Sequence, residues 1–289
     1  MTVAFIGFGE AGSAFARGWG AARPETAAYD VKMEDAAARG EIEARCEAHG
    51  VGCARSAEEA LTGAEAVFCT VTADRALEAA RACAPHLAPG ALWLDCNSCA
   101  PGTKREAAGV IEAASARYVD VAVMAPVHPK LHHVPLLVGG PHAEAAREAL
   151  EALDMRPVVA GGEVGQASTI KMLRSVMIKG MEAVAAECFL SARRAGVEEA
   201  VLASLDASDP ALGWARRGAY NLERMCAHGA RRAAEMREVA LTVSDLGLGG
   251  EMSAASALWQ DRMAGAARVS ETDDLWEIAD EVLKSLEGR

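Results

Sequence analysis

Aromatic side chains are scarce in this chain of 289 residues: Phe, Trp and Tyr together make up 4%. With alanine abundant instead, the helices are expected to pack closely through small side chains. No apolar run approaches the ~20 residues of a membrane-spanning helix, so none is expected. Positive charge is in deficit, with 29 Lys and Arg against 41 Asp and Glu and a formal net charge of −12. That balance, with a pI of about 5.1, argues against nucleic acid and against anionic membranes as partners. The eight cysteines follow no spaced framework and read as reduced thiols of a cytoplasmic protein. MTVAFIGFGEAG has no basic segment ahead of an apolar one, so no signal peptide is expected. Repeats, low-complexity linkers and long charge blocks are missing too.

What is present starts at the N-terminus. Residues 2–7 are almost wholly apolar, as in a strand buried on both faces. Gly7-Phe8-Gly9-Glu10-Ala11-Gly12 follows at once and leads into an alanine-rich helix. This is GxGxxG between a strand and a helix. The first glycine permits the tight turn, the second admits a pyrophosphate, and the third lets helix and strand approach. The helix N-terminus supplies N–H donors and positive potential for phosphate. A second strand, residues 26–29, ends in Asp30, where a carboxylate takes ribose hydroxyls. Asp30 repels a 2′-phosphate, so NAD is expected over NADP; Lys32 could reach such a phosphate and keeps NADP open.

Strand and helix patterns go on alternating. Strands are expected at residues 51–54, 66–71, 91–95, 118–124, 134–138 and 155–159. Helices are expected at 41–49, 56–61 with Ser56 as N-cap, 74–84, 101–115 and 143–153. Val71 and Thr72 fall at the carboxyl end of their strand, the edge where cofactors lie in open α/β sheets.

The stretch 166–196 holds no proline and predicts one helix of roughly 45 Å, long enough to connect two domains. Ile170, Leu173, Met177, Met181, Val184 and Cys188 recur at three- and four-residue steps and predict its buried face. Lys171, Arg174 and Ser175 share another face, either a solvated stripe or a candidate active centre. Beyond it the chain is helical by pattern, at residues 198–206, 210–227, 231–246, 251–267 and 272–286. The expected architecture is an α/β Rossmann-type domain over residues 1–162 and an all-helical domain over 163–289, joined by the long helix. The helical domain is expected to carry substrate contacts and a homodimer interface.

Four stretches together resemble the β-hydroxyacid dehydrogenases, which include 3-hydroxyisobutyrate and 6-phosphogluconate dehydrogenases. They are GFGEAG, LDCNSCAP, YVDVAVMAPV and the run from Gly165 to Lys171. The resemblance covers roughly residues 1–196; the helical half looks like a less-characterised domain found behind such NAD-binding halves. It implies that Lys171 is the catalytic lysine, with Asn97, Ser98 and the substrate strand at Met124 near the reacting group. Departures bear on the substrate. Met124-Ala125-Pro126 stands where the family has serine-glycine-glycine, and Pro126 offers no N–H. Ala167 replaces a glycine, and Arg174 replaces an asparagine, which suits capture of a carboxylate or phosphate. Arg174 is also expected to lower the Lys171 pKa. The expected function is hydride transfer between nicotinamide and a small, anionic hydroxy or keto acid, with imine reduction or nucleotide sensing as rivals.

Other constellations are read as structural first. Cys96 and Cys99 form a lone CxxC and are expected to be buried thiols. His128, His132 and His133 could include a metal pair, but Pro129 breaks a helix there and no third ligand is apparent; one of them is a candidate to face substrate. His228, Arg231 and Arg232 read as a solvated helix face that a dimer could bring to the neighbouring cleft, and Trp259, Met263 and Trp276 as core.

Overall fold

The computed structural model describes residues 1–266 and 272–287 and divides into two compact units, Met1–Met172 and Leu173–Arg289. The first unit is an eight-stranded sheet in the order β3-β2-β1-β4-β5-β6-β7-β8. Every neighbouring pair is parallel except β6 and β7, so the last two strands run against the other six. The strands are β1 (Val3–Ile6), β2 (Thr26–Tyr29), β3 (Gly52–Cys53), β4 (Ala66–Cys69), β5 (Leu92–Asp95), β6 (Arg117–Val123), β7 (Pro135–Gly139) and β8 (Arg156–Gly161). Between them run α1 (Glu10–Trp19), α2 (Arg39–His49), α3 (Ala57–Leu61), α4 (Ala76–Cys83), α5 (Pro101–Ala113) and α6 (Ala143–Ala152). Chain order reverses between β1 and β4, which opens the crevice where ligands bind in sheets of this kind.

Local chemistry accounts for several of these elements. Every residue of β1, β4 and β5 is buried, so their continuous apolar runs suit a sheet covered on both faces. The Ser56 side chain accepts the Glu59 N–H at 3.1 Å and caps α3. Pro101 opens α5 at a position where a missing N–H costs nothing. The few aromatic rings are concentrated rather than spread. Phe5 lies 5.4 Å from both Phe8 and Phe68, and Trp19 packs edge-on to Phe68 at 5.7 Å, centring one face of the sheet.

Helix α7 (Gln166–Ala195) begins in the first unit and continues in the second, followed by α8 (Glu198–Ser208), α9 (Trp214–Asp245), α10 (Glu251–Met263) and α11 (Leu275–Glu287). The core of the helical unit holds Phe189, Leu222, Met225, Met263 and Ile278. Trp259 and Trp276 are half-buried and pack against it. The end of the expected helix 251–267, Ala267, lies outside the described residues.

Two sequence expectations fail here. The pair of helices 210–227 and 231–246 is the single helix α9, which runs through Gly229. A Cβ at Gly229 would sit 2.5 Å from the Gln260 carbonyl oxygen and 2.8 Å from Ala264 Cα. That glycine admits a neighbouring backbone and does not end a helix. The second failure is the apolar stripe on α7. Ile170, Leu173, Met177 and Val184 are exposed, Met177 by 63%, while Met181 and Cys188 are half-buried. Ser175, Lys179, Glu182, Ala186 and Phe189 take the buried side. The polar members of that set are paired: Arg232 holds Glu182 at 2.8 Å, Gln260 donates to Glu182 at 3.0 Å, and Lys179 bonds Glu235. Buried charge with partners displaced the apolar stripe from the inside.

Candidate active site

Strands β1, β4 and β5 are neighbours, and their carboxyl ends form one edge. At β1, Gly7 turns the chain with φ 83°, and a Cβ there would lie 2.8 Å from the Thr70 carbonyl oxygen. The Thr70 hydroxyl donates to the Gly7 carbonyl at 2.6 Å and ties this turn to the end of β4. Gly12 is also close-packed, with Gly7 O and the Phe8 ring 3.2 Å from where its Cβ would be. At Gly9 the same construction meets nothing within 4 Å. The turn is therefore closed toward the sheet and open at its middle glycine, the form a pyrophosphate requires. Glu10 and Ala11 begin α1, whose first turn has N–H groups without intrahelical partners. The Phe8 side chain is buried in the aromatic cluster, and its N–H donates to Asp30 Oδ2 at 2.9 Å. Asp30 Oδ1 accepts from the Lys32 N–H at 3.1 Å, so this carboxylate also braces the glycine turn. Val71 is half-buried and Thr72 exposed just beyond β4.

The end of β5 brings the other expected residues together. Lys171 Nζ donates to Ser98 Oγ at 2.6 Å, across 73 positions of sequence. Asn97 is buried; its Nδ2 donates to Asp95 Oδ1 at 2.7 Å and to Cys69 Sγ at 3.2 Å. Under this pair lies a charged network that sequence reasoning missed. Lys104, wholly buried, stands 3.0 Å from Asp95 Oδ1 and 3.6 Å from Asp120 Oδ1, and donates to the Asp95 carbonyl at 2.7 Å. Tyr118 donates its hydroxyl to Asp95 Oδ2 at 2.6 Å. Asp120 accepts the N–H of Gly165 at 3.1 Å, the N–H of Ser168 at 2.9 Å and the Ser168 hydroxyl. A carboxylate on β6 thus caps the first turn of α7. One set of buried bonds holds both the strand end carrying Ser98 and the helix start carrying Lys171.

Burial pushes the Lys104 ammonium down, but Asp95 and Asp120 push it up further, so it sits above the usual lysine value and stays charged. Burial, then Asp95, pushes the Tyr118 hydroxyl far up, which keeps it a donor. The signal that could have exposed this network is the aspartate within each of the apolar strands LWLD and YVDVAV. A charge in a strand buried on both faces has to find a partner.

Other expected residues lie elsewhere or are used differently. Met124 is half-buried and spends its N–H on the Pro135 carbonyl at 2.9 Å. Arg174 is exposed and Ser175 buried, and both belong to the second unit. Cys96 and Cys99 are buried, and burial pushes the Cys96 thiol up to about 12. Among the described residues, which include all eight cysteines, no disulfide forms. His128 is exposed, whereas His132 and His133 meet Asp154, a third potential ligand that the sequence had hidden. On α9, His228 is half-buried, Arg231 is exposed, and Arg232 is buried against Glu182 rather than solvated.

Comparison with known proteins agrees with this geometry. A family model described as the NAD binding domain of 6-phosphogluconate dehydrogenase matches residues 2–156, and a domain of unknown function (DUF1932) matches residues 192–263. A conserved hypothetical protein from Sinorhizobium meliloti 1021 is 38% identical, with 99% of this chain and 96% of that one covered and a TM-score of 0.76. The conserved protein MTH1747, of unknown function and described as similar to 3-hydroxyacid dehydrogenases, is 28% identical over 99% of both chains, with a TM-score of 0.70. The fold is shared with Mycobacterium tuberculosis 3-hydroxyisobutyrate dehydrogenase, 18% identical over 98% of both chains, with a TM-score of 0.69. An uncharacterised 28.5 kDa protein from Methanothermus fervidus is 29% identical over 118 residues, which span 41% of this chain and 45% of that protein. The chain belongs to the family defined by the NAD binding domain of 6-phosphogluconate dehydrogenase, and its first unit is an NAD(P)-binding domain.

Proposed function

We propose that the protein is an NAD-dependent oxidoreductase acting on a small, anionic hydroxy or keto acid. The observation that carries the reading is the 2.6 Å bond between Lys171 Nζ and Ser98 Oγ, at the same sheet edge as the open glycine turn. Bound nicotinamide would supply or accept the hydride. In the oxidising direction a neutral Lys171 amine takes the hydroxyl proton while the C–H electron pair leaves as hydride. In reduction the ammonium returns that proton to the carbonyl oxygen. Ser98 shares a hydrogen bond with Lys171, and Ser98 and Asn97 would position the reacting group. Arg174 would hold the anionic end of the substrate, with Ser175 and Met124 as lesser contributors.

Asp30 favours NAD, because its carboxylate at the end of β2 would meet a 2′-phosphate with like charge. The exposed apolar residues of α7 within the helical unit, Leu173, Met177 and Val184, suit burial by a second copy of the chain. No helix among the described residues is long and apolar enough to cross a membrane.

The test is a panel of small 2- and 3-hydroxy acids, the matching keto acids and cyclic imines, each offered with NAD(H) and NADP(H). Turnover of an acid with NAD(H) preferred is the expected result. Turnover of imines alone would move the protein to C=N reduction. Tight dinucleotide binding with no turnover of any class would make it a sensor.

A further inference from the structure

The segment between β6 and β7 brings His132 and His133 together, with ring centroids 3.9 Å apart. Both point Nε2 at one atom from a distant turn: Asp154 Oδ2 lies 2.8 Å from His133 and 3.6 Å from His132. One ligand atom from each of the three falls within 4.8 Å of the others. Two donors on one tetrahedral zinc ion lie about 3.3 Å apart, given zinc–ligand bonds of about 2.0–2.1 Å. The two Asp154 distances bracket that value. We propose that His132, His133 and Asp154 form a divalent transition-metal site that clips the β6–β7 segment to the turn before β8.

The surroundings are built for it. Asp154 Oδ1 accepts from Arg156 Nη1 at 2.8 Å, which orients the carboxylate and leaves Oδ2 to the two imidazoles. His132 is buried, and Gly18 makes room for it: a Cβ there would fall 2.1 Å from His132 Nδ1. His132 Nδ1 is buried without a hydrogen-bond partner, which leaves Nε2, aimed at Asp154, as its ligand atom. With the proton on Nδ1, the Nε2 lone pair faces a carboxylate oxygen; a cation between them turns that repulsion into two bonds. His133 and Asp154 keep 44% and 67% of their side chains exposed, so an ion can enter and complete its shell with water. Two nitrogens and one carboxylate oxygen select zinc, nickel or cobalt over magnesium and calcium.

The site shares no residue with the proposed chemistry and is tested without a substrate. Untagged, chelator-washed protein is titrated with Co²⁺ and followed by visible d–d absorption, then by competition with Zn²⁺. One equivalent per chain is expected, with a melting temperature raised by the metal. The exposed variants His133→Gln and Asp154→Asn should each weaken binding by about tenfold or more. Exposed His86→Gln serves as a control and should leave it intact. Absence of the Co²⁺ bands, a stoichiometry far from one, or equal affinity in all three variants, which marks an adventitious ion only, would overturn the proposal.

Discussion

Lys171 meets Ser98 at 2.6 Å, and the proposed function turns on this contact. In the proposed mechanism Lys171→Ala removes the proton carrier and leaves the residues of the glycine turn unchanged. On any acid that turns over, kcat should fall by roughly 10²–10⁴-fold, the usual worth of a positioned acid–base group. NADH affinity, read by fluorescence titration, should stay the same. Unchanged kcat would take Lys171 out of the mechanism. The motif singled out Lys171, whereas nothing in the sequence singled out Lys104. Nothing about a lysine in the first turn of a helix announces burial, and the helix dipole there disfavours a cation. Only the fold shows that Asp95 and Asp120 stand 3.0 and 3.6 Å away to offset that cost.

Among elements, α5, β5, β6 and the start of α7 are coupled through this network. Lys104→Met would leave two buried carboxylates without their cation. Urea denaturation should show a loss of about 3–5 kcal/mol, the range for breaking a buried pair from one side. A loss below 1 kcal/mol would mean that water reaches the site. The second element-scale test is Gly229→Ala. Its methyl group would press on the backbone of Gln260 and Ala264, not on a movable side chain. Overpacking of this kind costs about 1–3 kcal/mol, although alanine is the better helix former by itself. A stabilised variant would show that α10 sits farther from α9 than the structure has it. The sequence reading left a gap between helices 210–227 and 231–246 that contains this glycine, and a glycine that breaks a helix looks the same in the chain as one that admits a neighbour.

For the whole molecule, alkaline pH is the informative variable. Burial pushes the thiols of Cys83 and Cys96 up to about 12, and that of Cys69 well above its usual value. In the unfolded chain a thiol releases its proton near about 8.5. Above that pH the unfolded state binds fewer protons than the native one, so stability falls as pH rises. A slope of at least about 1 kcal/mol per pH unit is expected between pH ~8.5 and ~10. Urea midpoints under reducing conditions measure it, and Cys83→Ala should make the slope shallower. Association is the other whole-molecule property. Sedimentation should show a dimer, and Met177→Lys/Val184→Lys, placing two charges on the exposed stripe of α7, should yield monomers. A variant that stays dimeric would locate the interface elsewhere.

Local pattern determined much of this protein by itself. GFGEAG between a strand and a helix, the strand–helix alternation to Met155 and the proline-free run from Gln166 are written in neighbouring residues. Each is read by turn chemistry or periodicity, which act over a few positions. Tertiary structure decided what depends on partners far along the chain. It set which face of α7 is buried, because Glu182 and Lys179 find Arg232 and Glu235 on α9. It joined Lys104 to two strands, and it brought Asp154 to a pair of histidines 21 and 22 positions earlier. Hydrophobic periodicity says that a face can be buried. Whether it is buried depends on what the rest of the chain places opposite.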